Sequence, residues 1–310
     1  MRAAMRRLAV FGLVLLAATS CSPSLEGASQ PLAQEQVGAG LGLDVASARG
    51  TALDFVNAYA RATEDDGARL SALVVGPKLT AWVHWMTVQN QQFDGTISGT
   101  AEVRSVAFVD SFLVENAVGG RVNLGASVTH MYDPAEGETF DRSRIMDGPV
   151  TLLRTGTAEW RVVDATRDGQ SMDDGIQLFK DLSMASHGVT VSLHSLFMFT
   201  PSWQFNVTVV NRTGSLIRFE PQGLALLVQR QGAPPQRTRG VYTQALVALP
   251  SGFNSEGLVG FPQQEEASGR TLSLAYRLAG GRHVTFAFPL GDVVTQVPPT
   301  SLRPSPAPTS

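Results

Sequence analysis

Cysteine is all but missing from this chain, with Cys21 the one example in 310 residues. Beyond it there is no thiol for a disulfide, a thiolate metal site or cysteine-based nucleophilic catalysis, so stability has to come from packed cores. Charge is also scarce, at 16% of residues, and 24 basic against 27 acidic side chains leave no basic excess to recruit nucleic acid. No apolar run reaches the roughly 20 residues that a membrane-spanning helix needs. The sequence holds no G-x-S-x-G, P-loop or H-E-x-x-H, so serine-hydrolase, nucleotide and zincin chemistries have no motif to stand on. The five histidines are scattered, and His187 and His194 lack the spacing of a metal pair. Asp164, Asp168, Asp173 and Asp174 miss the spacing and terminal glutamate of an EF-hand and read as a solvated interdomain loop. No metal and no cofactor is expected.

What is present begins at the N-terminus. Arg2, Arg6 and Arg7 precede an apolar run from Leu8 to Ala18, about half a membrane span, and small residues then lead into Cys21. That order is a secretory signal. The stretch Leu16-Ala17-Ala18-Thr19-Ser20-Cys21 resembles the bacterial lipoprotein signal, with Ala18 standing where leucine is usual. The resemblance implies removal of residues 1–20, acylation of the Cys21 thiol, and a protein anchored by lipid on the extracytoplasmic side of a bacterial membrane. Two or more acyl chains hold firmly where one binds marginally. Residues 21–47, rich in Ser, Gly, Gln, Pro and Ala, read as a flexible tether with a mean reach of about 25–30 Å.

From Thr51 the apolar period becomes helical, with Leu53, Val56, Tyr59 and Ala60 on one face. A short helix is expected over Ala68–Val74. A third follows Gly76-Pro77, with Leu79, Trp82, Val83 and Met86 as its stripe. After Gly99 the period falls to two, placing strands near Glu102–Val109, Phe112–Glu115, Arg121–Tyr132, Ile145–Arg154 and Glu159–Asp164. Three helices followed by an antiparallel sheet closing on Glu159-Trp160-Arg161-Val162-Val163-Asp164 resemble the NTF2-like α+β cone, over residues 48–168. Residues 169–187 read as a linker with one helical turn.

Over residues 188–291 short strands recur every 8–12 residues, the spacing of a β-sandwich. The clearest runs from Trp203 to Val209, with Trp203, Phe205, Val207 and Val209 on its buried side and the other side left to solvent. Phe205-Asn206-Val207-Thr208-Val209-Val210-Asn211, Leu224–Val228 and Gly257–Pro262 are similar to immunoglobulin-like extracytoplasmic domains of bacterial lipoproteins. The fold expected is therefore an α+β cone (NTF2-like) followed by an all-β immunoglobulin-like sandwich, with a disordered Pro-rich tail over residues 292–310.

Ketosteroid isomerases of the NTF2-like group place a carboxylate base and hydrogen-bond donors inside the cone, which makes inward polar residues worth naming. Val122, Leu124, Ala126, Val128, His130 and Tyr132 share one strand face, so His130 and Tyr132 sit toward its end. Asp54 and His84 on the helices complete the candidate pocket set. Trp85 falls off the helix stripe and is expected to be exposed as an anchor for a partner, with packing on the interdomain linker as the alternative. The function expected is a non-catalytic binding or assembly module of the envelope with a protein partner. The alternative is a small-molecule binding protein for an apolar ligand or lipid, and an isomerase-type enzyme ranks third.

Overall fold

The computed structural model describes residues 44–114, 117–154, 159–199, 202–242, 246–262 and 269–291. Cys21, the signal-like segment, most of the tether and the Pro-rich end lie outside the described residues. Helix α1 (Val45–Ala60) opens at Asp44, whose carboxylate accepts the Ser47 amide at 2.9 Å. Its buried face is Ala48, Ala52, Phe55, Val56 and Tyr59. Helix α2 (Ala68–Leu73) starts after Gly67, held in the left-handed region at φ 73°. Helix α3 (Pro77–Gln91) carries Pro77 in its first turn, where a missing amide costs nothing. No described helix is long and apolar enough to cross a membrane.

Strands β1 (Gly95–Val114), β2 (Ala117–Pro134), β3 (Phe140–Arg154), β4 (Trp160–Arg167) and β5 (Gln170–Ser171) make one antiparallel sheet in that order. Val122, Leu124, Ala126 and Val128 of β2 enter a core with Phe55, Tyr59 and Trp82. The chain continues through β6 (Ile176–Ser186), β7 (Val189–Phe199), β8 (Ser202–Asn211), β9 (Ile217–Phe219), β10 (Ala225–Gln229) and β11 (Gln236–Arg239). It ends with β12 (Val241–Tyr242), β13 (Ala248–Leu249), β14 (Asn254–Pro262), β15 (Gly269–Arg277) and β16 (His283–Gly291). A second sheet has the order β12-β14-β8-β7-β6. A third has β11-β10-β15-β9-β13, with β16 paired to β15. These two sheets share a core in which Phe205, Val207 and Phe261 meet Leu226, Leu274 and Phe286.

The expected α+β cone followed by an immunoglobulin-like sandwich does not hold. The described chain is mostly β, with three antiparallel sheets and three helices, and no cone of the NTF2 type is evident. Helix α3 shows the physical reason, because it is buried on two sides. Trp82 packs on Phe55 and Tyr59 of α1, with ring centroids 6.3 and 5.1 Å away. Trp85 instead meets Phe197 of β7 at 4.8 Å. The first core accordingly runs past its own sheet to include Ile176, Phe197, Phe199 and Leu258.

Two local expectations also change. The segment read as a linker with a helical turn forms β5 and the whole of β6, and β6 pairs with β7 around a bulge between Leu178 and Leu182. A short apolar run has no period that tells strand from helix, and pairing decides it. The side of β8 expected to face solvent is covered by α3. Gln89 Nε2 donates to Gln204 Oε1 at 3.1 Å. Glu256 Oε1 accepts both Asn206 Nδ2 and His84 Nε2 at 2.7 Å, and Asn206 is 2% exposed.

Candidate functional site

Where the first sheet, α3 and the second sheet meet, a cleft opens. Its floor is built by alternation along β3, whose Phe140, Arg142 and Arg144 lie opposite Tyr132, His130 and Val128 of β2. Arg167 enters from the last position of β4. Trp85 and Gln89 come from α3, and Phe197, Phe199, Ser202 and Gln204 from the second sheet. Apart from Phe140 and the facing β2 residues, these side chains line a cavity of about 460 Å³, within the range of about 300–1,000 Å³ common to small-molecule sites.

Donors dominate this cavity. The Arg167 side chain is only 5% exposed, and its Nε and Nη1 are buried without a hydrogen-bond partner. Nε does lie 3.5 Å from Asp168 Oδ2, close enough for attraction but without hydrogen-bond alignment. The guanidinium sits 4.6 Å above the Phe199 ring. Trp85 Nε1 is a further buried donor with no partner. Arg144 Nε stands 3.8 Å from the same Asp168 oxygen, so two guanidiniums share one carboxylate. Asp168 is also occupied structurally, since its Oδ1 accepts the Ile145 amide at 2.9 Å and its backbone holds φ 51°. Arg142 stacks on Tyr132 and Phe140 at 5.2 and 5.3 Å. Asp141 is the one acid among the residues lining the cavity, with Asp168 outside that lining beside Arg144 and Arg167.

A smaller cavity of about 50 Å³ brings His130 and Tyr132 together with Tyr59, Trp85 and the three arginines. His130 Nε2 donates to the Tyr59 carbonyl at 3.2 Å, which fixes the proton on that nitrogen when the ring is neutral. Burial pushes the His130 pKa down, the Tyr59 contact opposes this, and the Arg167 and Arg144 charges add to the fall. Burial also pushes the Tyr132 hydroxyl upward.

The other candidate residues lie elsewhere. Asp54 is exposed and 3.9 Å from Arg69 Nη2 on the outer side of the helices. His84 ties α3 to Glu256 of β14. Neither lines the cleft. Trp85 is not an exposed anchor, because at 8% exposure it is packed between α3 and Phe197.

Sequence reasoning missed Arg142, Arg144 and Arg167. The signal for the first two was the alternation itself. Continued back from Leu152 and Val150 through Met146, it puts Arg144 and Arg142 on the inward face, before the expected strand start at Ile145. Arg167 lay beyond the expected strand end at Asp164, on the inward side with Ala165 after a register shift. No protein-family model matches this chain, and no curated protein matches its sequence.

Proposed function

We propose that this protein is a non-catalytic binding module of the bacterial cell envelope, held to the membrane by acylation at Cys21, and that its cleft takes a small anionic ligand. The observation that carries the ligand is the convergence of three guanidiniums, Arg142, Arg144 and the deeply buried Arg167, on one cavity whose lining holds a single carboxylate, Asp141. Guanidiniums bind oxyanions through charge-assisted, often bidentate hydrogen bonds, and three of them around one cavity favour an anionic occupant. Binding without turnover agrees with the groups at hand. Arginine does not release a proton, and His130 commits Nε2 to a backbone carbonyl while burial favours its neutral form. The anchor rests on the order of basic, apolar and small residues before Cys21.

Native mass spectrometry of the protein extracted gently from its own membranes tests both parts. The expected spectrum carries an acyl mass at Cys21 and a small anion that the Arg167→Gln variant does not retain. An unmodified Cys21 would contradict the anchor. A wild-type chain with no small molecule attached would contradict the ligand.

A further inference from the structure

Next to the arginine cavity lies a second one of about 330 Å³, lined among others by Phe93, Tyr132, Phe140, Val241, Leu258 and Gly260. The two share Gln89, Arg142 and Gln204, so they lie side by side with those three side chains at their boundary. The second cavity is aromatic and aliphatic. Tyr132 and Phe140 stack at 5.0 Å with planes 5° apart, and Phe93 meets Tyr132 edge-on at 5.3 Å. Val241 is 70% exposed and Phe140 40%, large apolar groups left facing solvent at the rim of a concavity. Arg142 stands between the two cavities, its guanidinium over both rings.

We infer that the ligand is an amphipathic oxyanion, with its charged head on Arg144 and Arg167 and an apolar body lying along Tyr132, Phe140, Leu258 and Gly260. This rests on the anion-binding reading above and adds the second half of the molecule. Gly260 makes the body's position testable. It pairs with Gln204 on the α3 side of the second sheet, and a Cβ built there meets nothing nearer than 3.9 Å. A side chain at this position therefore starts without a clash at the apolar end.

The test is calorimetric titration of the full-length Cys21→Ser chain, which carries no acyl group, with inorganic phosphate and with octyl phosphate below its micelle concentration. The two probes share a head and differ by the tail. Octyl phosphate is expected to bind at least tenfold tighter than phosphate. Gly260→Leu should bring octyl phosphate down to the phosphate level while phosphate itself changes by less than twofold, which also shows that the variant is folded. Arg142→Gln, at an exposed position, should weaken both probes. Phosphate binding with no gain from the tail, or a gain that survives Gly260→Leu, overturns the amphipathic ligand and leaves the anion site standing. Failure of both probes overturns the anion site as well. Incubation with vesicles containing phosphatidic acid separates the sources: lipid carried off in the soluble protein marks a membrane ligand, and capture of octyl phosphate alone marks a soluble one.

Discussion

His130 is the residue whose surroundings make the clearest demand on pH. Its folded pKa lies below the ordinary value of 6.5, chiefly because it is buried, with Arg167 and Arg144 acting in the same direction. The unfolded chain therefore binds a proton that the native ring refuses, once pH falls below the unfolded pKa. The stability from neutral His130 is complete above that value and is lost as pH falls toward the depressed one. Urea melts between about pH 7.5 and about pH 5 should show this decline in the wild type. His130→Gln, which keeps a donor for the Tyr59 carbonyl, should decline less, and parallel curves for the two would show that His130 does not carry the effect. The side-chain alternation of β2 made His130 and Tyr132 legible as neighbours on one inward face. It could not show that arginines from β3 and β4 stand beside them, since that depends on register and on bulges.

At the scale of elements, the approach of α1 to β1 depends on one missing methyl group. A Cβ at Gly99 would lie 1.9 Å from the Ala60 carbonyl oxygen and 2.9 Å from His130 Cδ2. Backbone cannot yield as a side-chain tip does, so Gly99→Ala should destabilise by at least the ~1–3 kcal/mol usual for overpacking. Gly50, inside α1, has nothing within 4 Å of a built Cβ. Gly50→Ala should stabilise by about 0.5–1 kcal/mol through helix propensity alone. Chemical denaturation of the two variants checks the contrast, and equal midpoints would contradict the close approach. The helices were readable because the apolar spacing of α1 and α3 is periodic and Gly76-Pro77 marks the start of α3. The double burial of α3 was not, since Trp85 lies off the main stripe and its partner Phe197 is more than a hundred residues away. The same distance hid the cover on β8, where Asn206 and Gln204 look like solvent-facing residues until α3 and Glu256 supply their hydrogen bonds.

Over the whole molecule, two apolar cores meet at a seam that is polar on one side and open on the other. His84, Glu256 and Asn206 close the polar side with hydrogen bonds between α3 and the second sheet, while the Gln89–Gln204 bond lies in the lining of the cleft itself. Lys78 adds a further tie at 2.9 Å to Asp173, in the turn between β5 and β6. The open side is the cleft, with three arginines at one end and aromatic rings at the other. A site assembled from α3, three strands of one sheet and four of another belongs to the tertiary fold, and no local sequence window contains it. The proposed export and acylation signal at Cys21 is independent of that assembly, and on that proposal the cleft would lie outside the cytoplasmic membrane. The measurement that bears most directly on the cleft is diffraction from crystals soaked in selenate, recorded at the selenium edge. The expected result is an anomalous peak within hydrogen-bond reach of the Arg144 and Arg167 guanidiniums, lost in Arg167→Gln. A wild-type cleft without a peak, while selenate binds elsewhere on the molecule, would contradict the anion site.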